Sequence, residues 1–187
     1  KVGGLGHSFG ARCIYNIALN QPSLFQAAIA MDIGRDKTLL NNKSVSIPFM
    51  FMNAADMGIK NKLYYGKESS SFKLLKNNIV LMMTPDKQNT SYSRHMSFTD
   101  NPTLYYHNNI LLQSYVKAYG IPKADYDDWF GKANAFKFTN SVNSHLLDFF
   151  NYYLKNVGSG ISENKYNTID KSSLIIYGTS NGVNVNY

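Results

Sequence analysis

Short apolar runs separated by polar segments mark the first half of the chain. Three of them, Gln26–Met31, Ile47–Met52 and Asn78–Met83, have the length of a β-strand and read as strands of a parallel sheet. Residues 11–19 and 60–76 mix apolar and polar positions at helical spacing. Strands that alternate with helices predict an α/β fold with a parallel sheet flanked by helices.

The pentapeptide Gly6-His7-Ser8-Phe9-Gly10 lies between a small apolar lead-in and the first predicted helix. This G-x-S-x-G pattern is typical of a nucleophile elbow, a strained strand-to-helix turn that exposes a serine hydroxyl. Glycine at both flanking positions is expected to avoid clashes between a Cβ and the backbone. Ser8 is thus the predicted nucleophile, and the N–H of Phe9 is a predicted oxyanion-hole donor. His7 is expected to be structural and to point away from the hydroxyl.

A serine nucleophile needs an acid and a base, and two carboxylates follow predicted strands. Asp32 ends the strand after the elbow unit, and Asp56 follows the next strand. Because ligands bind at the carboxyl ends of the strands in open α/β sheets, either carboxylate could orient a histidine.

His95 is the predicted base, because the order serine, acid, histidine places the base after the last clear strand. His107 and His145 are interpreted as partly exposed polar residues. Asp100 is expected to cap or brace the loop that holds His95, and Phe98 to pack beneath that loop.

Four segments resemble, in order, the platelet-activating factor acetylhydrolase and lipoprotein-associated phospholipase A2-like family of α/β hydrolases. Residues 6–10 resemble its G-H-S-F-G elbow, and Ile29–Asp32 resemble its I-A-L-D strand. Ile47–Asn53 resemble its P-x-x-F-I-N strand, and His95–Asp100 resemble its H-x-x-F-x-D segment. The resemblance covers about residues 1–155.

The resemblance implies a Ser-His-Asp triad of Ser8, His95 and Asp32 that cleaves short-chain or oxidised acyl esters of phospholipids, or related carboxylic esters, without a cofactor. Other α/β hydrolases, including the dienelactone-hydrolase and cutinase-like groups, take the acid from the following strand, where Asp56 stands. A polyester or dienelactone-type hydrolase that uses Asp56 therefore remains an alternative. A non-catalytic binding protein of the same fold is a second one.

The predicted domain covers residues 1–156 and ends with a helix over Asn143–Lys155. A polar extension follows over residues 157–187, and its strand-like run Leu174–Tyr177 is expected to dock on the domain. Because the elbow normally follows several strand–helix units, the first strands of such a fold and a second oxyanion donor are expected from an upstream half, as a preceding segment or a second chain.

The chain of 187 residues carries a formal net charge of +7, and its lysines are scattered rather than arranged in a basic stripe. We therefore expect no nucleic-acid partner, although the charge suits peripheral contact with anionic lipid surfaces. The single cysteine, Cys13, excludes an internal disulfide, provides no metal framework and is expected to pack as a small apolar residue. No metal is expected, and the sequence leaves the cellular location open, secretion included.

Overall fold

One sheet organises the part of the chain that the computed structural model describes, which is residues 1–33, 45–54, 78–82, 93–107, 109–120, 129–161, 175–180 and 183–184. Its described strands lie side by side in chain order. The first four pair in parallel, whereas the fifth pairs antiparallel with the fourth, and the sixth antiparallel with the fifth. The strands are β1 Gly3–His7, β2 Ala27–Met31, β3 Phe49–Asn53, β4 Asn78–Met82, β5 Ile175–Ser180 and β6 Val183–Asn184. This architecture belongs to the α/β class.

The described residues also form helices and shorter helical turns. They are α1 Phe9–Asn20, α2 Asn101–His107, α3 Asn109–Tyr119 and α4 Ala135–Phe150, with 3₁₀ turns at Pro22–Leu24 and His95–Phe98 and a π-helical turn at Asn151–Lys155. Within the described residues, no helix is long and apolar enough to cross a membrane.

Strand β2 is buried on both faces, which explains why its sequence shows no alternation of apolar and polar residues. Ala28 and Ala30 face α1 in one apolar cluster, whereas Ala27, Ile29 and Met31 face α4 in the other.

The first cluster adds Ala11, Tyr15 and Ala18 of α1 with Phe49 and Phe51 of β3. The second adds Met50 and Met52 of β3 with Phe138, Val142 and Phe149 of α4. The sheet is therefore the middle layer between α1 and α4.

The three strands predicted from apolar runs match β2, β3 and β4 to within two residues at either end. The last helix begins at Ala135 rather than at Asn143, because the side chain of Asn134 accepts the N–H of Lys137 and caps the helix there. The run predicted at Leu174–Tyr177 overlaps β5, which pairs antiparallel with β4. The helix predicted over residues 60–76 lies outside the described residues.

Two predicted side-chain environments are wrong. Cys13 is exposed, because α1 buries a different face, that of Ala11, Tyr15 and Ala18. His145 is completely buried, because it lies on the face of α4 that packs against the sheet. Its Nδ1 lies 2.6 Å from the backbone carbonyl oxygen of Ser141, one turn earlier in the helix.

The two glycines of the pentapeptide differ in what they permit. A Cβ on Gly6 would lie 2.4 Å from the carbonyl carbon and oxygen of Gly10, which is too close for any side chain. A Cβ on Gly10 would meet nothing within 4 Å. The expected clash therefore holds for Gly6 and is wrong for Gly10.

This difference predicts opposite effects of two matched substitutions. Gly6→Ala must displace backbone, so we expect it to lower the free energy of unfolding by about 2 kcal/mol or more. Gly10→Ala adds a better helix former where there is room, so we expect a gain of about 0.5–1 kcal/mol. Urea denaturation of the two variants beside the parent protein measures both, and equal losses in the two variants would refute the assigned clash.

Candidate active site

Ser8 follows β1 directly in a strained backbone conformation. Its φ of 56° and ψ of −118° belong to a region that residues other than glycine rarely adopt. Its N–H donates to the carbonyl oxygen of Met31 at 3.0 Å, which extends the β1–β2 ladder by one residue. Ser8 also precedes α1, but its side chain makes no capping hydrogen bond there. The hydroxyl is therefore available for another partner.

Asp32 lies at the corresponding end of β2, with its side chain only 3% exposed. Its backbone also has a positive φ, 46°, and its N–H donates to the carbonyl oxygen of Met52 at 2.6 Å. The carboxylate oxygen Oδ1 accepts the N–H of Ala54 at 3.0 Å, just past β3. One oxygen of the acid is thus held by backbone, and the other faces the histidine.

His95 connects the other two residues from the 3₁₀ turn His95–Phe98. Its Nε2 lies 2.9 Å from Oγ of Ser8, and its Nδ1 lies 2.5 Å from Oδ2 of Asp32. Because a carboxylate only accepts hydrogen bonds, Nδ1 of the neutral ring carries the proton and Nε2 accepts the hydroxyl of Ser8. We refer to Ser8, His95 and Asp32 as the candidate triad. All three residues were predicted from the sequence, and the structure brings them together.

Such a series can move a proton from the serine hydroxyl to the imidazole while the carboxylate balances the resulting charge. The His95 side chain is 42% exposed to solvent, whereas the side chain of Asp32 is buried. The site therefore combines a partly exposed serine and histidine with a shielded carboxylate.

The segment that carries His95 is held by hydrogen bonds and by an aromatic contact with α4. The hydroxyl of Ser97 donates to the carbonyl oxygen of Phe130 at 2.6 Å and accepts the N–H of Arg94 at 2.8 Å. Phe98 packs edge-on against Phe138 of α4 with ring centroids 5.2 Å apart, as its predicted place beneath the loop requires. These contacts tie the base to the same helix that covers the sheet.

Asp100, expected to brace this loop, directly precedes α2. The N–H of Leu104 donates to its backbone carbonyl oxygen at 3.0 Å, and the hydroxyl of Thr99 accepts the N–H of Asn101 at 3.3 Å. The hydroxyl of Thr99, two residues before the start of α2, thus accepts a hydrogen bond from one of the first backbone N–H groups of that helix.

His7 has a closer relation to the site than the sequence suggested. Its Nε2 lies 3.0 Å from the backbone carbonyl oxygen of His95, and the two imidazole rings have centroids 4.6 Å apart. Burial, followed by the charge of His95, lowers the pKa of His7 below its ordinary value of 6.5. His7 is therefore a neutral donor that touches the backbone of the base.

Arg12 is a second contact that no motif pointed to. Its Nε donates to the carbonyl oxygen of Ile33 at 3.2 Å, which links the first turn of α1 to the residue after Asp32. Only the helical position of Arg12, four residues after the serine on α1, could have indicated that it reaches the neighbouring strand end.

Phe9 begins α1, so its N–H belongs to the first turn, where backbone donors have no acceptor inside the helix. The predicted oxyanion donor is therefore a backbone N–H of the first helical turn, directly after Ser8. The Phe9 side chain is 75% exposed and adds apolar surface next to Ser8.

The remaining candidates lie elsewhere. Asp56, the alternative acid, falls outside the described residues, as does the side chain of His107. A cavity of about 150 Å³ separates the segment after His95 from α4, and among the described residues that line it none belongs to the candidate triad. Over the described ranges, no three His, Cys, Asp or Glu side chains form a group that could hold a metal ion.

Comparisons with protein-family models, with curated proteins and with solved structures give no significant match. The assignment of chemistry to this site therefore depends on its own geometry.

The two oxygens of Asp32 predict a specific effect of Asp32→Asn. The Ala54 N–H holds the amide oxygen, so the NH₂ group faces Nδ1 of His95 and forces the proton onto Nε2, the wrong tautomer for accepting the serine proton. We expect the turnover number of the full-length protein for a p-nitrophenyl ester to fall by about 10⁴-fold without loss of fold. Asp56→Asn is the matched control and should change turnover little; a larger loss in that variant would transfer the acid role to Asp56.

The lowered pKa of His7 predicts that acid destabilises the fold partly through this residue. Below about pH 6.5 the unfolded chain binds a proton at His7 that the folded chain resists, so the stability present above this pH declines as pH falls. Glutamine does not titrate. Urea denaturation at about pH 7.5 and about pH 5.5 should show a smaller acid-induced loss in His7→Gln than in the parent protein, and equal losses would contradict the assignment.

Proposed function

We propose that the protein is a serine ester hydrolase of the α/β-hydrolase type, in which Ser8 attacks an ester carbonyl. The observation that carries the proposal is the continuous series of hydrogen bonds from Ser8 through His95 to Asp32. Its members come from three places that are distant in sequence, and they meet at the carboxyl edge of a parallel sheet.

In the acylation step, His95 Nε2 takes the proton as Ser8 Oγ forms a bond to the carbonyl carbon. Asp32 stabilises the imidazolium that results, and the N–H of Phe9 donates to the oxyanion. When the tetrahedral intermediate collapses, the bond to the leaving alcohol breaks and His95 returns the proton to that alcohol. An acyl-enzyme ester on Ser8 remains.

In the second half of the reaction, His95 takes a proton from water, whose oxygen attacks the acyl-enzyme carbonyl. Collapse of the second intermediate releases the carboxylic acid, and the proton passes back to Ser8. The neutral tautomer inferred for His95, with its proton on Nδ1, is the one that both proton transfers need.

Within this proposal β1 is the nucleophile strand of the hydrolase fold, and β2 carries the acid. The strained turn at Ser8, the close approach at Gly6 and the position of Asp32 directly after the next strand support this interpretation. Because Asp32 Oδ2 already occupies the acid position beside His95, the alternative that relies on Asp56 is the weaker one.

For the substrate, we propose short-chain or oxidised acyl esters of phospholipids, or simpler carboxylic esters. The support is the resemblance of four ordered segments to the acetylhydrolase family, together with the exposed apolar ring of Phe9 next to the nucleophile. Fold resemblance restricts the reaction more tightly than the substrate, so ester chemistry is the firmer part of the proposal.

An activated serine can be tested without knowledge of the substrate. We expect a fluorophosphonate probe to label the full-length native protein at Ser8, as located by peptide mass mapping, because the reagent needs only a serine that a neighbouring base activates. Ser8→Ala should abolish labelling and His95→Ala should reduce it by about 10³-fold or more. Ser159→Ala is the matched control, since Ser159 is exposed and far along the chain from the site.

Labelling that survives Ser8→Ala would place the reactive group elsewhere and contradict the proposal. Absence of labelling in a folded, complete protein would favour the non-catalytic binding protein. Hydrolysis of a panel of phospholipids and simple esters by the native protein without the probe, in which Ser8 is free to react, then separates the proposed substrate classes.

A further inference from the structure

The imidazole of His7 touches His95 in two ways, although His7 belongs to β1 and not to the segment that carries the base. Its Nε2 lies 3.0 Å from the carbonyl oxygen of His95, and the planes of the two rings are inclined by 32° with centroids 4.6 Å apart. The His7 ring also lies near that of Phe98, with centroids 6.1 Å apart. His7 is thus close to both the ring of His95 and an aromatic ring of the same 3₁₀ turn.

The contact with His7 adds a hydrogen bond to a residue, His95, that is held in position by few structural elements. The His95 side chain is 42% exposed, and the residue sits on a single 3₁₀ turn rather than on a long helix or a strand. The two ring nitrogens of His95 form hydrogen bonds with Ser8 and Asp32. Both of these hydrogen bonds change in strength when the ring gains or loses a proton. A bond to the backbone carbonyl oxygen is independent of that proton.

The chemistry of His7 suits such a role. The donor to the carbonyl oxygen must be Nε2–H, so the neutral ring carries its proton there. Burial and the neighbouring His95 disfavour a second positive charge, although Asp32 and the carbonyl contact oppose this effect. A neutral donor holds the backbone of His95 without opposing the imidazolium that forms on it.

We propose that His7 is a positioning residue that holds the backbone of His95 through its Nε2–H, so that the imidazole stays aligned between Ser8 and Asp32. The inference rests on the proposed function for its catalytic consequence, whereas the alignment itself is a property of the resting protein. His7 touches neither of the reacting oxygens in this scheme.

Three substitutions separate the donor from the ring. Gln places an amide nitrogen at the position of Nε2 and keeps the donor; Asn is shorter by one methylene and cannot reach; Phe keeps the ring without the donor. We expect His7→Phe and His7→Asn to lower kcat about 10–100-fold with KM changed less than about twofold, because alignment and not binding is lost. His7→Gln should recover most of the lost kcat.

A second readout needs no activity. The Nδ1–H proton that His95 donates to Asp32 Oδ2 is expected to give a downfield NMR signal in the resting protein, which should persist in His7→Gln and broaden or shift in His7→Phe and His7→Asn. Urea denaturation of each variant shows that it is folded. If the Phe variant does not fold, the comparison of Gln with Asn, which differ by one methylene, still decides the question.

The outcomes of the two proposals are distinguishable. Wild-type kcat and an unchanged proton signal in the Phe and Asn variants would overturn the role of His7 while Ser8 labelling kept the hydrolase proposal intact. Equal losses in all three variants, Gln included, would also overturn it, because the donor would not be what matters. A signal that follows the donor in a protein whose Ser8 never reacts would support positioning and reject the hydrolase.

Discussion

Between Gly6 and Gly10 the backbone folds back so tightly that a Cβ on Gly6 would lie 2.4 Å from the carbonyl group of Gly10. This approach lets the chain leave β1 at His7 and enter α1 at Phe9 with only Ser8 between the strand and the helix. Ser8 then takes a φ of 56°, so its hydroxyl turns away from the helix it precedes and toward His95. The position of the proposed nucleophile is therefore a consequence of backbone sterics at a neighbouring residue.

The parallel sheet gives the acid its environment. The ends of β1, β2 and β3 lie side by side, so each strand end can offer a group to its neighbour. Met31 accepts the N–H of Ser8, Met52 accepts the N–H of Asp32, and Ala54 donates to the carboxylate. The end of β3 thus supports the acid with a backbone donor, which leaves one carboxylate oxygen for the histidine.

Much of this arrangement could be predicted from the sequence, because its signals are local. A G-x-S-x-G segment followed by a helical pattern predicts the elbow, and apolar runs that end in Asp predict acids at strand ends. No motif indicates the contacts of His7 and Arg12, since each reaches a partner that the fold alone brings close. His145 was misjudged for a related reason: polarity suggested exposure, but the face of its helix was decided by where α4 meets the sheet.

Two residues of the candidate triad have positive φ angles without being glycine, Ser8 at 56° and Asp32 at 46°. Strain of this kind costs about 1–3 kcal/mol per residue, a substantial part of the 5–15 kcal/mol that typically stabilises a domain. The two apolar clusters that sandwich β2 and β3 must offset it, and they include β2, which ends directly before Asp32, and α1, which begins directly after Ser8. Packing and site geometry are therefore coupled through β2: a substitution that loosens Ile29 or Ala30 removes burial and also releases the backbone that holds Asp32 against His95.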